Sequence, residues 1–62
     1  MSNPVLIQLV DGTHIIYSQL ISIVFHERYI AVCGWKVHFG HDSIDYTKIL
    51  YTEIQSIDFG KQ

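Results

Sequence analysis

Two segments of thirteen residues repeat one another without a gap, and this repeat constrains the fold more than any other feature of the chain. Residues 13–25 read THIIYSQLISIVF, and residues 47–59 read TKILYTEIQSIDF. Six aligned positions are identical: Thr13/Thr47, Ile15/Ile49, Tyr17/Tyr51, Ser22/Ser56, Ile23/Ile57 and Phe25/Phe59. Because self-similarity of this kind is typical of duplicated structural units, we predict one domain over residues 1–62 with an internal duplication.

The spacing of the shared apolar positions predicts strands and not a helix. In the first segment Tyr17, Leu20, Ile21 and Val24 fit a helical stripe, but the second segment places Gln55 and Asp58 at two of those positions. The apolar positions common to both segments are 15, 17, 20, 23 and 25, with 49, 51, 54, 57 and 59 as counterparts. Pairs two residues apart, separated by a wider gap, predict strand, tight turn and strand in each half, with turns over 17–20 and 51–54.

The rest of the chain also has the punctuation of short strands. Asp11-Gly12 lies between apolar runs and predicts a hairpin turn between strands at 5–10 and 13–17. Gly34 interrupts the next apolar stretch and predicts a bulge or a tight turn. Further strands are predicted over 29–33, 35–39, 44–50 and 55–59, with a turn over 40–43. The predicted fold is therefore all-β, a small strongly bent barrel or curled meander of about six short strands.

The chain is short for a stable core, and this predicts self-association. A domain of 62 residues buries only about 60% of the surface that its unfolded chain exposes. Apolar residues make up 48% of the chain and charged residues only 16%, and Val5–Val10 is apolar on both faces of a strand. Burial between subunits accounts for that surplus, so we expect a homo-oligomer.

Cysteine and charge indicate the cellular setting. Cys33 is the only cysteine and lies in an apolar stretch, which predicts a buried, unreactive thiol in a reducing compartment. The first residues lack the basic and apolar regions of a signal peptide, and no apolar run is long enough to cross a bilayer, so a cytoplasmic protein without a membrane association is expected. The net charge of −2, with scattered lysines and arginines, argues against binding to duplex DNA.

The side chains that could perform chemistry do not form a recognisable motif. His38, His41 and Asp42 surround a predicted turn, with His14, His26 and Cys33 as distant ligands, but the pattern lacks zinc-site spacing, and solvated histidines are the favoured interpretation. The candidates for a general acid and base are two pairs of acidic residues, Asp42 with Asp45 and Glu27 with Glu53. Exposed positions on strands or in turns are the favoured interpretation for all four. We predict no enzymatic activity, no metal site and no cofactor.

Four residues are the best candidates for contacts to a ligand. Lys36 and His38 lie on one face of the predicted strand 35–39, and Arg28 adds a third basic group for an anionic ligand. Trp35 is able to stack on a base, although burial of Trp35, Val37 and Phe39 on one strand face is the favoured interpretation. The predicted ligand-binding residues are thus Arg28, Trp35, Lys36 and His38.

The leading functional hypothesis is a non-catalytic homo-oligomeric binding module that sequesters or blocks a partner. The partner is either a small anionic molecule at a subunit interface or a protein surface bound through an edge strand. A chain of this size is also typical of inhibitors and accessory factors of mobile genetic elements. The first alternative is a small barrel that binds single-stranded nucleic acid, and the second is a metal-dependent enzyme with its site between subunits.

Overall fold

The computed structural model describes residues 4–60 and contains one antiparallel sheet of five strands, with no α-helix in that range. The all-β prediction is confirmed. The elements in chain order are β1 (Val5–Leu9), β2 (His14–Phe25), β3 (Tyr29–His38), β4 (His41–Leu50), a single 3-10 turn (Tyr51–Glu53) and β5 (Ile54–Phe59). No helix in the described range has the length and apolar character needed to cross a membrane.

The strands are arranged in the order β4-β3-β2-β1-β5. β1 to β4 form a meander in which each strand pairs with the next, and β5 returns to pair with the free side of β1. β4 and β5 are consequently the two edges of the sheet, which is not closed into a barrel. Five strands replace the predicted six because residues expected to form separate strands merge into β2 and into β3.

The two similar segments fold differently. In the first, the predicted turn over Tyr17–Leu20 is wrong, because β3 pairs along the whole of β2 and the extra residues form irregularities between Tyr17 and Gln19 and between Leu20 and Ser22. In the second, the turn is confirmed as the 3-10 turn, and the Val10 N–H donates a hydrogen bond to the Glu53 carbonyl. Descent of the two segments from one duplicated unit stays a prediction.

Strand β2 must bend to fit the molecule. Twelve extended residues span about 40 Å at 3.4 Å each, whereas the longest extent of the Cα positions is 29 Å. Gly34 of β3 faces this bend, and a Cβ atom on it would lie 2.6 Å from the Gln19 carbonyl oxygen. The predicted bulge or tight turn at Gly34 is wrong, because β3 continues through Gly34 and the irregularities lie in β2 opposite it. Only glycine permits so close an approach between the two backbones.

The core lies on the concave side of the bent sheet. It is formed by side chains of β1, β2, β3 and β4, which are Val5, Ile7, Tyr17, Ile30, Val32 and Ile49. Ile23 and Ile57 lie at its margin, partly buried and packed against it. Burial of these side chains is the main stabilising contribution, at roughly 25 cal/mol per Å² of apolar surface.

The hairpin between β1 and β2 is confirmed, with β1 ending at Leu9 and β2 beginning at His14 in place of the predicted 10 and 13. The Gly12 N–H donates to the Leu9 carbonyl, and Gly12 has φ of 93°, the left-handed conformation that glycine adopts without strain. The Asp11 carboxylate accepts a hydrogen bond of 2.9 Å from the Thr13 N–H, and this bond lowers the pKa of Asp11. The Asp-Gly pair thus fixes the turn as the sequence predicts.

The tyrosines at equivalent repeat positions have opposite environments. Tyr17 is completely buried, and its hydroxyl makes no hydrogen bond of acceptable geometry among residues 4–60. Burial raises the pKa of Tyr17, and the nearby Thr47 side chain offsets part of that rise. Tyr51 is partly exposed, and its hydroxyl donates a 2.6 Å hydrogen bond to the His26 carbonyl. One hydroxyl is therefore a cost to the folded state, while the other ties the β2–β3 loop to the 3-10 turn.

Removal of these two hydroxyl groups is expected to change stability in opposite directions. Tyr17→Phe relieves an unpartnered buried hydroxyl and should raise the free energy of unfolding by about 1 kcal/mol, whereas Tyr51→Phe loses a hydrogen bond and should lower it by about 1 kcal/mol. Urea unfolding of both variants and the wild type measures the difference. A Tyr17→Phe variant less stable than Tyr51→Phe would contradict the assigned environments.

Candidate interaction site

Strand β3 distributes the predicted ligand-binding residues over both faces of the sheet. Lys36 lies opposite Tyr17, on the same face as the core residues Ile30 and Val32, and His38 continues that face beyond the core. Trp35 lies on the other face, where it is 37% exposed. Lys36 and His38 are thus brought together at one end of β3, and Trp35 is not part of the same cluster.

Arg28 lies at the opposite end of β3. It belongs to the short loop before the strand, and its carbonyl accepts a hydrogen bond of 3.1 Å from the Tyr51 N–H. Eight residues separate it from Lys36, a distance of about 26 Å along an extended strand. Within one copy of the chain, the structure does not bring Arg28 to the other three candidates.

Lys36 already has an anionic partner in the folded chain. Its ammonium nitrogen lies 3.6 Å from a carboxylate oxygen of Asp45, on the neighbouring strand β4. The same carboxylate accepts a hydrogen bond of 2.9 Å from the Thr47 hydroxyl. An anionic ligand at Lys36 would therefore compete with Asp45 for the ammonium group. The ion pair holds the Lys36 side chain against β4, so Lys36 is not a free cation in the folded chain.

The histidines do not converge. His38 and His41 face one another across the β3–β4 hairpin, with ring centroids 6.4 Å apart, while His26 stacks on Tyr29 at 4.6 Å near the other end of β3. His14 lies at the start of β2, on an exposed position. Between residues 4 and 60, no three His, Cys, Asp or Glu side chains lie close enough to hold a metal ion.

The convex face of β2, β3 and β4 carries an exposed apolar surface, which we call the outer apolar face. It consists of Val24, Trp35, Val37, Ile44 and Tyr46, with Ala31 and the half-buried Cys33 between them. Ile44 and Tyr46 are 59% and 62% exposed. Contiguous apolar surface of this kind marks interaction sites. The interpretation that Trp35, Val37 and Phe39 form a buried strand face is wrong, because that face of β3 has no layer packed on it.

A second apolar feature lies on the opposite half of the sheet. It is an open groove of about 270 Å³ lined by Pro4, Val5, Leu6, Ile16, Asp58 and Gly60. None of the four predicted ligand-binding residues lines this groove, and its one charged side chain, Asp58, is anionic. It does not match an anionic ligand.

Phe39 was predicted to lie in a strand, and the structure places it in a turn. The turn between β3 and β4 is at Phe39-Gly40 and not over 40–43, since His41 to Ser43 already belong to β4. Both turn residues have positive φ, 41° for Phe39 and 92° for Gly40, as a two-residue hairpin loop requires. Phe39 is fully exposed at the tip. A bulky residue in the left-handed region is strained, and such strain is concentrated at functional positions.

Three charged side chains near the β3–β4 hairpin are engaged within the fold. Lys36 and Asp45 form an ion pair, and Asp42 accepts a 2.5 Å hydrogen bond from the Ser18 hydroxyl. Comparison with family models, with curated proteins and with solved structures finds no match for this chain. Function is therefore inferred from the outer apolar face, the open edges and the placement of the basic residues.

Replacement of Phe39 by asparagine is expected to stabilise the fold. Asparagine tolerates the left-handed conformation better than phenylalanine, and Phe39 makes no buried contact that would be lost, so the free energy of unfolding should rise by about 1 kcal/mol. Thermal unfolding of Phe39→Asn measures the change, with Phe59→Asn as a control in extended backbone. A destabilised Phe39→Asn variant would contradict the strained turn.

Proposed function

We propose that this chain is a non-catalytic, homo-oligomeric binding module that sequesters or blocks a partner. The observation that carries the proposal is the outer apolar face, which lies directly beside the open edge of β4. A surface of this composition is stabilised by burial against another molecule. The lone Cys33 supports a cytoplasmic setting, and the bend of β2 supports a sheet close to the small-barrel form.

The balance of buried and exposed side chains supports self-association. Among the described residues, seven hydrophobic side chains are buried, while thirteen large hydrophobic side chains are exposed. One copy therefore leaves many apolar side chains in water that a second copy would cover. Assembly adds buried area without lengthening the chain, which is a common solution for domains of this size.

The placement of the basic residues supports a small anionic ligand held between subunits. Arg28 lies at one end of β3, and Lys36 and His38 lie at the other, so these residues cannot surround one small molecule in a single copy. A second copy in opposite orientation would bring one end beside the other. The module then acts by occupancy, in the manner of an inhibitor or accessory factor, and a mobile genetic element is one source of such chains.

One observation favours the alternative of single-stranded nucleic acid. Trp35 and Tyr46 are exposed on neighbouring strands of one face, and Lys48 lies on that face of β4. Aromatic side chains with a nearby cation form a stacking surface for bases. Asp42 on the same face and the net charge of −2 weigh against it. Binding to an oligonucleotide that weakens steeply with salt would favour this alternative.

Native mass spectrometry of the purified protein is the direct test of the proposal. We expect a homo-oligomer that carries an additional mass of nucleotide size. An oligomer without additional mass would count against the small anionic ligand and favour a protein partner. A bare monomer at micromolar concentration would overturn the proposal, because the apolar surface argument requires association.

A mixing experiment tests whether the ligand lies between subunits, with adenosine monophosphate as the probe. Arg28→Ala and His38→Ala should each abolish binding alone. When the two variants are co-expressed, a mixed dimer regains one complete site, with Arg28 from one copy and His38 from the other, and should bind one nucleotide. The matched control is the mixed dimer of wild type with the double variant, which has no complete site; both mixed dimers are isolated from the homodimers by two different affinity tags, one on each chain. Equal binding by the two isolated mixed dimers would contradict a shared site.

A further inference from the structure

We infer that two copies of this chain associate by antiparallel pairing of their β4 strands about a twofold axis at Asp45, with Asp42 of each copy opposite Lys48 of the other. The inference rests on the proposed homo-oligomer and specifies its interface. The result would be a continuous ten-stranded sheet. Twofold dimers are the commonest assemblies of identical chains.

The edge formed by β4 is better suited to strand addition than the edge formed by β5. β4 has ten residues, contains no proline, and pairs with β3 without any shift in register from Leu50 to His41. β5 has six residues, and its pairing with β1 is shifted between Gln8 and Leu9. Natural edge strands are protected by short length, bulges, prolines or charged side chains, including charges that point to the core face. β4 has one lysine, Lys48, and the charge of Asp45 on its core face is already paired with Lys36.

The two faces of β4 restrict the registers that are available. Residues directly opposite in an antiparallel pair lie on the same face of the sheet. In a twofold pairing, if one residue lies opposite a second residue of the partner, the second also lies opposite the partner's copy of the first. Because the two share a face, they are an even number of positions apart, and the residue midway between them lies opposite its own copy, on the axis. The two registers with the longest overlap within His41–Leu50 have Asp45 or Tyr46 there, and Ile44 or Thr47 on the axis gives a shorter overlap.

Charge complementarity selects the register with Asp45 on the axis. On the outer face it places Asp42 opposite the partner's Lys48, and Ile44 opposite the partner's Tyr46, and the symmetry makes each pair twice. Within one copy Asp42 accepts a hydrogen bond from Ser18, and the Lys48 ammonium lies 5.5 Å from the Tyr29 ring, so both side chains must turn towards the edge to meet. With Tyr46 on the axis, Lys48 would face Ile44 and Asp42 would face Leu50. With Ile44 on the axis, Lys48 would face Gly40, which lies outside β4.

The chosen register brings two Asp45 side chains together, and the fold supplies their counter-charges. Each Asp45 carboxylate has its own Lys36 ammonium at 3.6 Å and a Thr47 hydroxyl at 2.9 Å. The row across the axis is therefore Lys36, Asp45, Asp45 and Lys36, which is neutral in sum. Repulsion between the carboxylates is reduced by these partners.

The same register joins the features on which the proposed function depends. Ile44 and Tyr46 of both copies meet at the centre, so that the two outer apolar faces become one surface. Ile49 lies opposite the partner's His41, and Arg28 is one strand away from Ile49. Two strand spacings, about 10 Å, then separate the Arg28 end of one copy from His41 of the other, and three, about 14 Å, separate it from His38.

Reversal of the two charges tests the pairing. Asp42→Lys and Lys48→Asp should each weaken the dimer by about tenfold or more in Kd, because like charges then oppose each other twice. The double variant Asp42→Lys/Lys48→Asp restores opposite charges and should return Kd to near the wild-type value. Ser18→Ala, which removes the hydrogen bond to Asp42 without a charge change, is the control and should leave Kd unchanged. Sedimentation equilibrium measures all five proteins, and additive weakening in the double variant would overturn the inference.

Disulfide formation across the axis identifies the register. In a Cys33→Ser background, Ile44→Cys, Asp45→Cys and Tyr46→Cys each carry one thiol, and only the residue on the axis faces its own copy within the 4.4–6.8 Å range of disulfide Cα separations. We expect Asp45→Cys to form covalent dimers fastest under mild oxidation. Fastest cross-linking of Ile44→Cys or Tyr46→Cys would overturn this register while the homo-oligomer stands. A wild-type protein that is monomeric throughout would overturn both.

Discussion

The close approach of β3 to the bend of β2 is the contact on which the rest of the structure depends. Gly34 is buried against the Gln19 carbonyl and the Leu20 backbone, where a side chain would not fit. The irregularities in β2 on either side of this contact let a twelve-residue strand curve around the core. Because β2 curves, β1 and β3 pair with different parts of it and the sheet encloses Ile7, Tyr17 and Ile30 on its concave side. The convex side is left without a covering layer, which is the origin of the outer apolar face.

The parts of the fold that could be predicted from the sequence are those fixed by residues adjacent in the chain. Asp11-Gly12 fixes its turn through its own backbone and carboxylate, so the sequence predicts that hairpin correctly. The segments 13–25 and 47–59 carry nearly the same pattern, yet one is a single strand and the other contains a turn. The difference arises from the neighbours, because β3 offers a continuous partner to β2. Pairing over such distances is not encoded in the spacing of apolar residues, and tertiary context therefore overrides the local pattern.

The candidate site also divides into features set by the local sequence and features set by tertiary contacts. Alternation along β3 correctly places Lys36 and His38 on one face and Trp35 on the other, since period two is a local property. The expected burial of Trp35 failed because the sequence does not state which face of a sheet receives a second layer. Phe39 was misplaced for a different reason, since the left-handed loop residues that the sequence rules favour are glycine, asparagine and aspartate. An unusual residue at a tight turn is detected only when the backbone is seen.

A core this small gives the open β4 edge a direct consequence for function. The fully buried side chains of one copy are outnumbered by the exposed hydrophobic ones, so association has many apolar side chains available to bury. Strand pairing and apolar burial act together here, because the β4 edge and the outer apolar face share Ile44 and Tyr46. A ligand bound between the ends of two copies would add its binding free energy to the same equilibrium and shift it towards the assembled form. In the proposed module, binding and assembly would thus be one coupled process, and the basic residues at the two ends of β3 lie where that coupling would occur.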